Sequence, residues 1–345
     1  MEPTWAVSVS PHIRLGTTTS SIMWTVSASL LPVLLLSIYV FGFRALLITL
    51  VSVISCVVVE AISQKGLGRP VCATDGSAVL TGILMAFVIP PGVPYWLPAI
   101  GAVAAIFINK ELMGGLGFNV WNPALVGRAL LMAAFPVSMT AAWLPPVNWA
   151  QSPLGVFLSP GSVDAVSTAT PLQVLKQYGL DALLQQFGGY GTIYRDFFLG
   201  IRPGCIGETS ALLILLGGLF LMVRGIITWH IPVSTIGTVA VLTWIFGGDT
   251  WFGGQPLIHV LSGGIMLGAF YMATDYVTSP SVKSGQIIFG IGVGALTVVI
   301  RLKGGYPEGV CYAILLMNCL TPALNEWFQP RRFAPPKQAP VAVAK

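Results

Sequence analysis

Apolar residues fill most of this chain in long stretches. Short polar or Gly/Pro-rich intervals separate them, and one long polar interval lies near the middle. Ten apolar stretches can be drawn, at roughly 22–41, 45–63, 75–90, 95–109, 122–140, 208–223, 226–246, 257–274, 285–300 and 307–324. Most approach the ~20 residues that an α-helix needs to cross a hydrocarbon layer about 30 Å thick. Those at 75–90, 95–109 and 208–223 are short, which predicts helices that are tilted, broken or shielded by protein rather than lipid. The pattern predicts an all-α, polytopic membrane protein of about ten transmembrane helices.

Five stretches precede the long interval and five follow it. An odd number per half predicts two inverted five-helix halves, an arrangement known from secondary transporters. A faint internal likeness agrees: Asp75-Gly76-Ser77-Ala78-Val79-Leu80 opens the third stretch and Glu208-Thr209-Ser210-Ala211-Leu212-Leu213 the sixth. The boundaries that follow are an N-terminal arm at 1–21, a first transmembrane half at 22–142, a loop at 143–207, a second half at 208–325 and a tail at 326–345.

Composition sharpens the class. Of 345 residues, 55% are hydrophobic and 8% charged, against about a quarter charged in soluble domains. With the N-terminus inside, ten Lys and Arg fall on the cytoplasmic side, among them Arg14, Lys65, Arg69, Lys110 and Arg331. Six fall outside: Arg44, Lys176, Arg195, Arg202, Arg301 and Lys303. That bias predicts cytoplasmic termini and an extracytoplasmic 143–207 loop. The net charge of +5 is accounted for by those loops, and no nucleic-acid-binding module is expected. Cys56, Cys72, Cys205, Cys311 and Cys319 have no cluster spacing, so neither an iron–sulfur site nor a disulfide framework is expected. His12, His230 and His259 are too scattered for a metal site. The first apolar stretch follows a polar segment without a cleavage pattern, so no signal peptide is expected.

The long interval contains Asp164-Ala165-Val166-Ser167-Thr168-Ala169-Thr170-Pro171-Leu172. Such a Ser/Thr-rich run ending in Pro reads as a loop that N-caps a helix. It also resembles the flavinylation motif D-x-x-S/T-G-A-T, in which the last Thr takes FMN through a phosphoester bond. By that resemblance Thr170 is the covalent attachment residue. Asp164, Ser167 and Ala169 stand in their motif places, and Pro171 and Leu172 continue the pattern. Thr168 replaces the usual Gly, a departure that bears on the local backbone because Gly tolerates positive φ and Thr does not. With these residues the chain resembles the NqrB/RnfD family: the D subunit of Rnf electron-transport complexes and its kin, the B subunit of the sodium-pumping NADH:quinone reductase. The likeness spans nearly the whole chain and is densest at 113–132 and 164–172. A twenty-residue arm before the first stretch is short for the quinone reductase subunit, which favours the Rnf type.

The second dense stretch is Gly114-Gly115-Leu116-Gly117-Phe118-Asn119-Val120-Trp121-Asn122-Pro123-Ala124. Non-helical backbone at a membrane boundary persists only where protein or ligand satisfies it. Asn119 and Asn122 carry amides suited to the donor–acceptor edge of an isoalloxazine ring. The resemblance implies that they help hold a second, non-covalent flavin, riboflavin, near the cytoplasmic side. Asn122 also reads as the N-cap of the fifth helix, with Pro123 at its first position. Arg128 within that helix needs an acidic partner, for which Asp75, Glu111 and Glu208 are candidates. Asp75, Glu111, Glu208 and Asp275, with Glu60 and Glu326, sit in or at the ends of apolar stretches. The first four are the ion-path candidates, and each also reads as a structural anchor. Trp149, Tyr190 and Tyr194 read as flavin-stacking or interfacial aromatics.

The resemblance thus implies an FMN-carrying subunit of a ferredoxin- and NAD-linked complex in the bacterial inner membrane, coupled to Na⁺ or H⁺ movement. Its partners would be membrane iron–sulfur subunits, a second covalent-FMN subunit, NADH- and ferredoxin-side subunits and a flavin transferase. The rival reading is a small-solute channel or transporter of urea-transporter-like fold.

Overall fold

The computed structural model describes residues 18–147, 169–248, 250–306 and 308–328. Among them every regular element is helical and none is a strand. The chain starts with α1 (Thr19–Phe41), whose N-cap Thr18 accepts a hydrogen bond from the Ser21 amide at 3.2 Å. Gly42, at φ 75°, turns the chain at once into α2 (Phe43–Gly66). A 3-10 turn (Ala73–Asp75) leads into α3 (Ser77–Phe87). Next come α4 (Leu97–Ala102), continued by a π-helical segment (Val103–Glu111), then α5 (Pro123–Ala134) and α6 (Pro136–Ala141).

The interval expected as a loop contains two helices, α7 (Pro171–Phe187), kinked at Gly179, and α8 (Tyr190–Leu199). A second 3-10 turn (Ile206–Glu208) precedes α9 (Ala211–Val223), and α10 (His230–Phe246) follows. The stretch expected at 257–274 is broken into α11 (Pro256–Leu261) and α12 (Ile265–Leu267), the latter extended by a π-helical segment (Gly268–Met272). The chain closes with α13 (Lys283–Lys303) and α14 (Val310–Trp327).

Three helices, α1, α2 and α13, are long and apolar enough to cross a membrane; α3, α5, α9 and α10 are apolar but shorter. On α1 and α2 the exposed side chains Leu31, Leu35 and Tyr39, then Leu50, Ile54, Val58 and Ile62, repeat at helical spacing. That stripe is the kind of surface a bilayer covers. This is a multi-pass membrane protein.

Small residues set the helix spacing, as expected where lipid supplies no net drive to bury apolar surface. Gly82 of α3 lies so close to α2 that a Cβ there would sit 2.6 Å from the Val53 Cα. On α13, Gly290 and Gly294 press against Ser234 and Thr238 of α10. One apolar core runs through the bundle, and a second, smaller one unites α7, α8 and Ile258 of α11.

The bundle has two ends. Trp24 near the start of α1 packs on Gly76 at the start of α3. It also lines a groove with Phe220 and Arg224 at the close of α9. These mark the lower end, so α3 and α9 run in opposite directions. The upper end holds Arg44, which donates to the carbonyls of Pro91, Gly92 and Val93 at 2.9 to 3.0 Å. It also holds α7, whose Lys176 donates to the Gly304 carbonyl beyond α13.

Candidate functional site

Three polar sites are threaded through this apolar bundle, one at each end and one between. At the lower end, a cavity of about 780 Å³ including its mouth opens among α1, α3, α5, α9 and the second π segment. Leu80, Leu84, Leu221 and Phe270 give it apolar walls; Ser77, Thr81, Lys110, Asn119, Asn122 and Asp275 give it polar ones.

The π segment turns three consecutive polar residues, Asn109, Lys110 and Glu111, into the protein, all buried. Such wide turns recur at functional sites. Lys110 donates to Glu60 and, at 2.6 Å, to Ser77 Oγ. An ammonium has three protons, so one remains for a ligand. This corrects the expectation that Lys110 belongs to a cytoplasmic loop: the charge is drawn inward because Glu60 of α2 waits there.

Both predicted asparagines line the cavity, in unequal roles. Asn122 caps α5 as expected, its Oδ1 accepting from the Ala124 amide at 3.1 Å, while its Nδ2 donates to the Met272 carbonyl at 3.2 Å. That amide is spent on joining the start of α5 to the second π-helical segment. Asn119 donates to the Trp121 carbonyl at 3.0 Å, and none of the described residues donates to its oxygen. Asp275 faces the same cavity, its Oδ2 accepting from Thr278 Oγ1 at 3.1 Å. Apolar walls and an acceptor–donor edge at Asn119 and Lys110 suit a planar heteroaromatic ligand such as a flavin.

Glu111 points elsewhere, bonded by Gln64 at 3.2 Å and Arg69 at 3.5 Å. Asp75 closes the N-terminus of α3, its Oδ1 accepting from the Ser77 amide at 2.8 Å and Ser77 Oγ at 2.7 Å.

Between the ends lies an ionic cluster. Arg128 pairs with Glu308, which none of the expected partners Asp75, Glu111 and Glu208 anticipated. The reason is tertiary: residues 180 apart in sequence meet where α5 passes the start of α14. Ligand atoms of Cys205, Glu208 and Glu308 lie within 4.8 Å of one another. Arginines crowd the same place. Arg202 donates to the carbonyls of Glu208 and Leu261 at 3.0 and 2.7 Å. Arg301 donates to those of His259, Ser262 and Gly263 at 2.6, 2.9 and 3.0 Å.

The C-terminus of the broken helix α11 is therefore capped by guanidinium groups, which answers its unpaired carbonyls. Arg202 and Arg301, expected in an outer loop, are buried for this reason. Of the four ion-path candidates, only Glu208 reaches this cluster.

At the upper end Thr170 is the N-cap of α7, with Pro171 in the first turn; its Oγ1 accepts from the Gln173 amide at 3.3 Å. It is 3% exposed. Leu172 is buried against the turn between α11 and α12, where a Cβ on Gly263 would lie 2.3 Å from its Cδ1. Asp164, Ser167 and Thr168 of the motif, and Trp149, lie outside the described residues; Ala169 packs against the small upper core. A space of about 1030 Å³ beside the first turns of α7 is lined by Trp143, Gln173, Lys176, Gln177, Tyr306 and Glu308. Partial desolvation lowers the Lys176 pKa. Tyr190 and Tyr194 stack on each other with ring centroids 6.2 Å apart.

Sequence reasoning missed Lys110 and Glu308 as interior charges. Their signal was local: each stands at the boundary of an apolar stretch, where a charge reads equally as loop.

The family model described as NQR2, RnfD, RnfE matches residues 6–334. The chain is similar to the D subunit of the proton-translocating ferredoxin:NAD(+) oxidoreductase complex of Clostridium ljungdahlii, 49% identical over 330 residues, covering 95% of this chain and 96% of the relative. It is 44% identical to the D subunit of the Na(+)-translocating ferredoxin:NAD(+) oxidoreductase complex of Acetobacterium woodii, covering 94% of each chain. The D subunit of the ion-translocating oxidoreductase complex of Stutzerimonas stutzeri is 41% identical, with 90% of this chain and 91% of the relative covered.

Proposed function

The chain belongs to the NQR2, RnfD, RnfE family, and from that premise we propose that it is the flavin-carrying D-type subunit of an ion-translocating ferredoxin:NAD⁺ oxidoreductase complex. Its place is the bacterial inner membrane, with about ten crossings in two inverted halves and both termini cytoplasmic. FMN is esterified to Thr170 on the extracytoplasmic side, and riboflavin occupies the lower cavity. Flavins supply the one- and two-electron chemistry; the chain supplies distance, orientation and electrostatic setting. Iron–sulfur, second-FMN and NADH- or ferredoxin-side subunits complete the electron path, and a flavin transferase loads Thr170.

The observation that carries this reading is the position of Thr170. It begins a helix, where the amide dipoles favour a phosphate, at the opposite end from the cavity holding Asn119. Two flavins so placed span the bundle. In this conformation the hydroxyl is enclosed, so the segment is loaded before the start of α7 settles against Gly263. Asn119 Oδ1 and the free proton of Lys110 would hold the ring edge of the second flavin, while Leu84 and Phe270 exclude water. A passive channel is disfavoured by the Arg128–Glu308 pair lodged between the ends. The names of the relatives favour the Rnf type over the quinone reductase type, and they leave Na⁺ and H⁺ as alternatives for the ion.

The test is a denaturing gel of native-host membranes viewed under ultraviolet light. A fluorescent band that disappears in Thr170→Ala and persists in Thr170→Ser is expected. A native chain without fluorescence would end the flavin reading.

A further inference from the structure

A further cavity, of about 990 Å³ including its mouth, lies at the upper end between α7, the turn from α10 to α11 and the end of α13. Leu172, Leu175, Leu180 and Leu302 give it aliphatic walls. Among the described residues its ionisable lining is wholly basic: Lys176, His259 and Arg301.

Arg301 is 3% exposed, and its guanidinium is held by three backbone carbonyls rather than by an acid. Carbonyls solvate that charge without cancelling it, and a cation buried in a membrane bundle calls for an acidic partner. Glu208 and Glu308 line a separate gap, where Glu308 pairs with Arg128. Arg301 Nε has no partner among the described residues, and neither has Nδ1 of His259, which is 5% exposed. Lys176 donates to the Gly304 and Tyr306 carbonyls, which leaves it one ammonium proton. Each basic side chain of the cavity therefore has a nitrogen or a proton unspent.

That lining suits an anion, and the four leucines suit an aliphatic body joined to it. We propose that the cavity binds the phosphate of an anionic phospholipid, with Arg301 supplying charge from the wall and Lys176 and His259 supplying donors. Basic pockets between membrane helices recognise lipid headgroups in this way. Free phosphate has the same oxygens but would leave the leucines against water. Thr170 is not among the lining residues, so the site stands apart from the flavin reading.

The experiment uses the complex purified from its native host in mild detergent and transferred to nanodiscs. These contain phosphatidylglycerol or phosphatidylcholine carrying a diazirine on one acyl chain near the glycerol. After illumination, labelled peptides of this chain are mapped by mass. Peptides from 172–180 and 256–261 should take at least about tenfold more label from phosphatidylglycerol, and Lys176→Met should lower that preference about fivefold. Lys176→Arg should keep the preference, Thr170→Ala should label like the unmodified chain, and millimolar inorganic phosphate should leave the label in place. Each variant is first checked for elution as an intact complex.

Equal labelling by the two lipids, or an unchanged preference in Lys176→Met, would overturn the proposal. Displacement of the label by inorganic phosphate would overturn it in favour of the free ion. Loss of the label in Thr170→Ala would overturn it in favour of the group carried by Thr170. Asp249, next to the lining Gly248, lies outside the described residues. Label that appears only in Asp249→Asn would show that carboxylate to be the partner of Arg301, and would overturn the proposal too.

Discussion

Two buried ionic groups among the described residues use their cations differently. In the middle, Arg202 and Arg301 aim guanidinium protons at five fixed backbone carbonyls, four of them in the broken helix and the turn after it, while Arg202 Nη1 and Arg301 Nε have no partner among the described residues. At the lower end, Lys110 bonds one acid and one hydroxyl and keeps a proton facing a cavity. The planar fork of Arg suits several fixed acceptors at once, whereas an ammonium is a compact point charge. The first arrangement is therefore suited to holding backbone in place, the second to meeting a ligand.

The largest effect should come from the capping arginine. Arg301→Met strips three carbonyls of their donor inside the bundle, at an expected cost of about 3–5 kcal/mol. Thermal unfolding of the detergent-solubilised protein should reveal it, and Arg301→Lys should recover only part of the loss.

Next are the two ion pairs. Lys110→Met and Arg128→Met each strand a carboxylate, Glu60 or Glu308, at about 3 kcal/mol. The doubles Lys110→Met/Glu60→Gln and Arg128→Met/Glu308→Gln should each cost less than the sum of their singles. The comparison sharpens in a second measurement: released flavin should fall with Lys110→Met and not with Arg128→Met at matched stability.

Gly263→Ala should be milder, about 1–3 kcal/mol, because φ is +71° there and the new methyl meets Leu172 and Arg301. By displacing Leu172 it should also weaken the fluorescent band of Thr170 on the denaturing gel. Least of all is Lys176→Met. It removes donors to the Gly304 and Tyr306 carbonyls at an exposed site, and the melting temperature should move by less than an equivalent of about 1 kcal/mol.

Several of these features were legible beforehand. Thr170-Pro171 and Asn122-Pro123 announced helix starts, and both residues are N-caps with a proline directly after them. The short stretch at 95–109 warned of an irregular helix, and it is composite, α4 running on into a π-helical segment; the break within 257–274 carried no such warning. The predicted loop at 143–207 was read too simply. Its helices α7 and α8 bury Val174, Leu183, Ile193 and Phe197 against Ile258, a small core whose apolar residues are too diluted by polar ones to show in hydropathy.

By itself the sequence determined the helical class, the membrane setting, the capping residues and the resemblance at 113–132 and 164–172. These depend on hydropathy and on hydrogen bonds closed within one turn, so neighbours in the chain suffice to specify them. Only the tertiary structure decided that Arg128 meets Glu308, that Lys110 turns inward to Glu60, and that Arg301 caps α11. A buried charge must find its partner wherever the packing of distant helices delivers one, and no local pattern encodes which ends will meet.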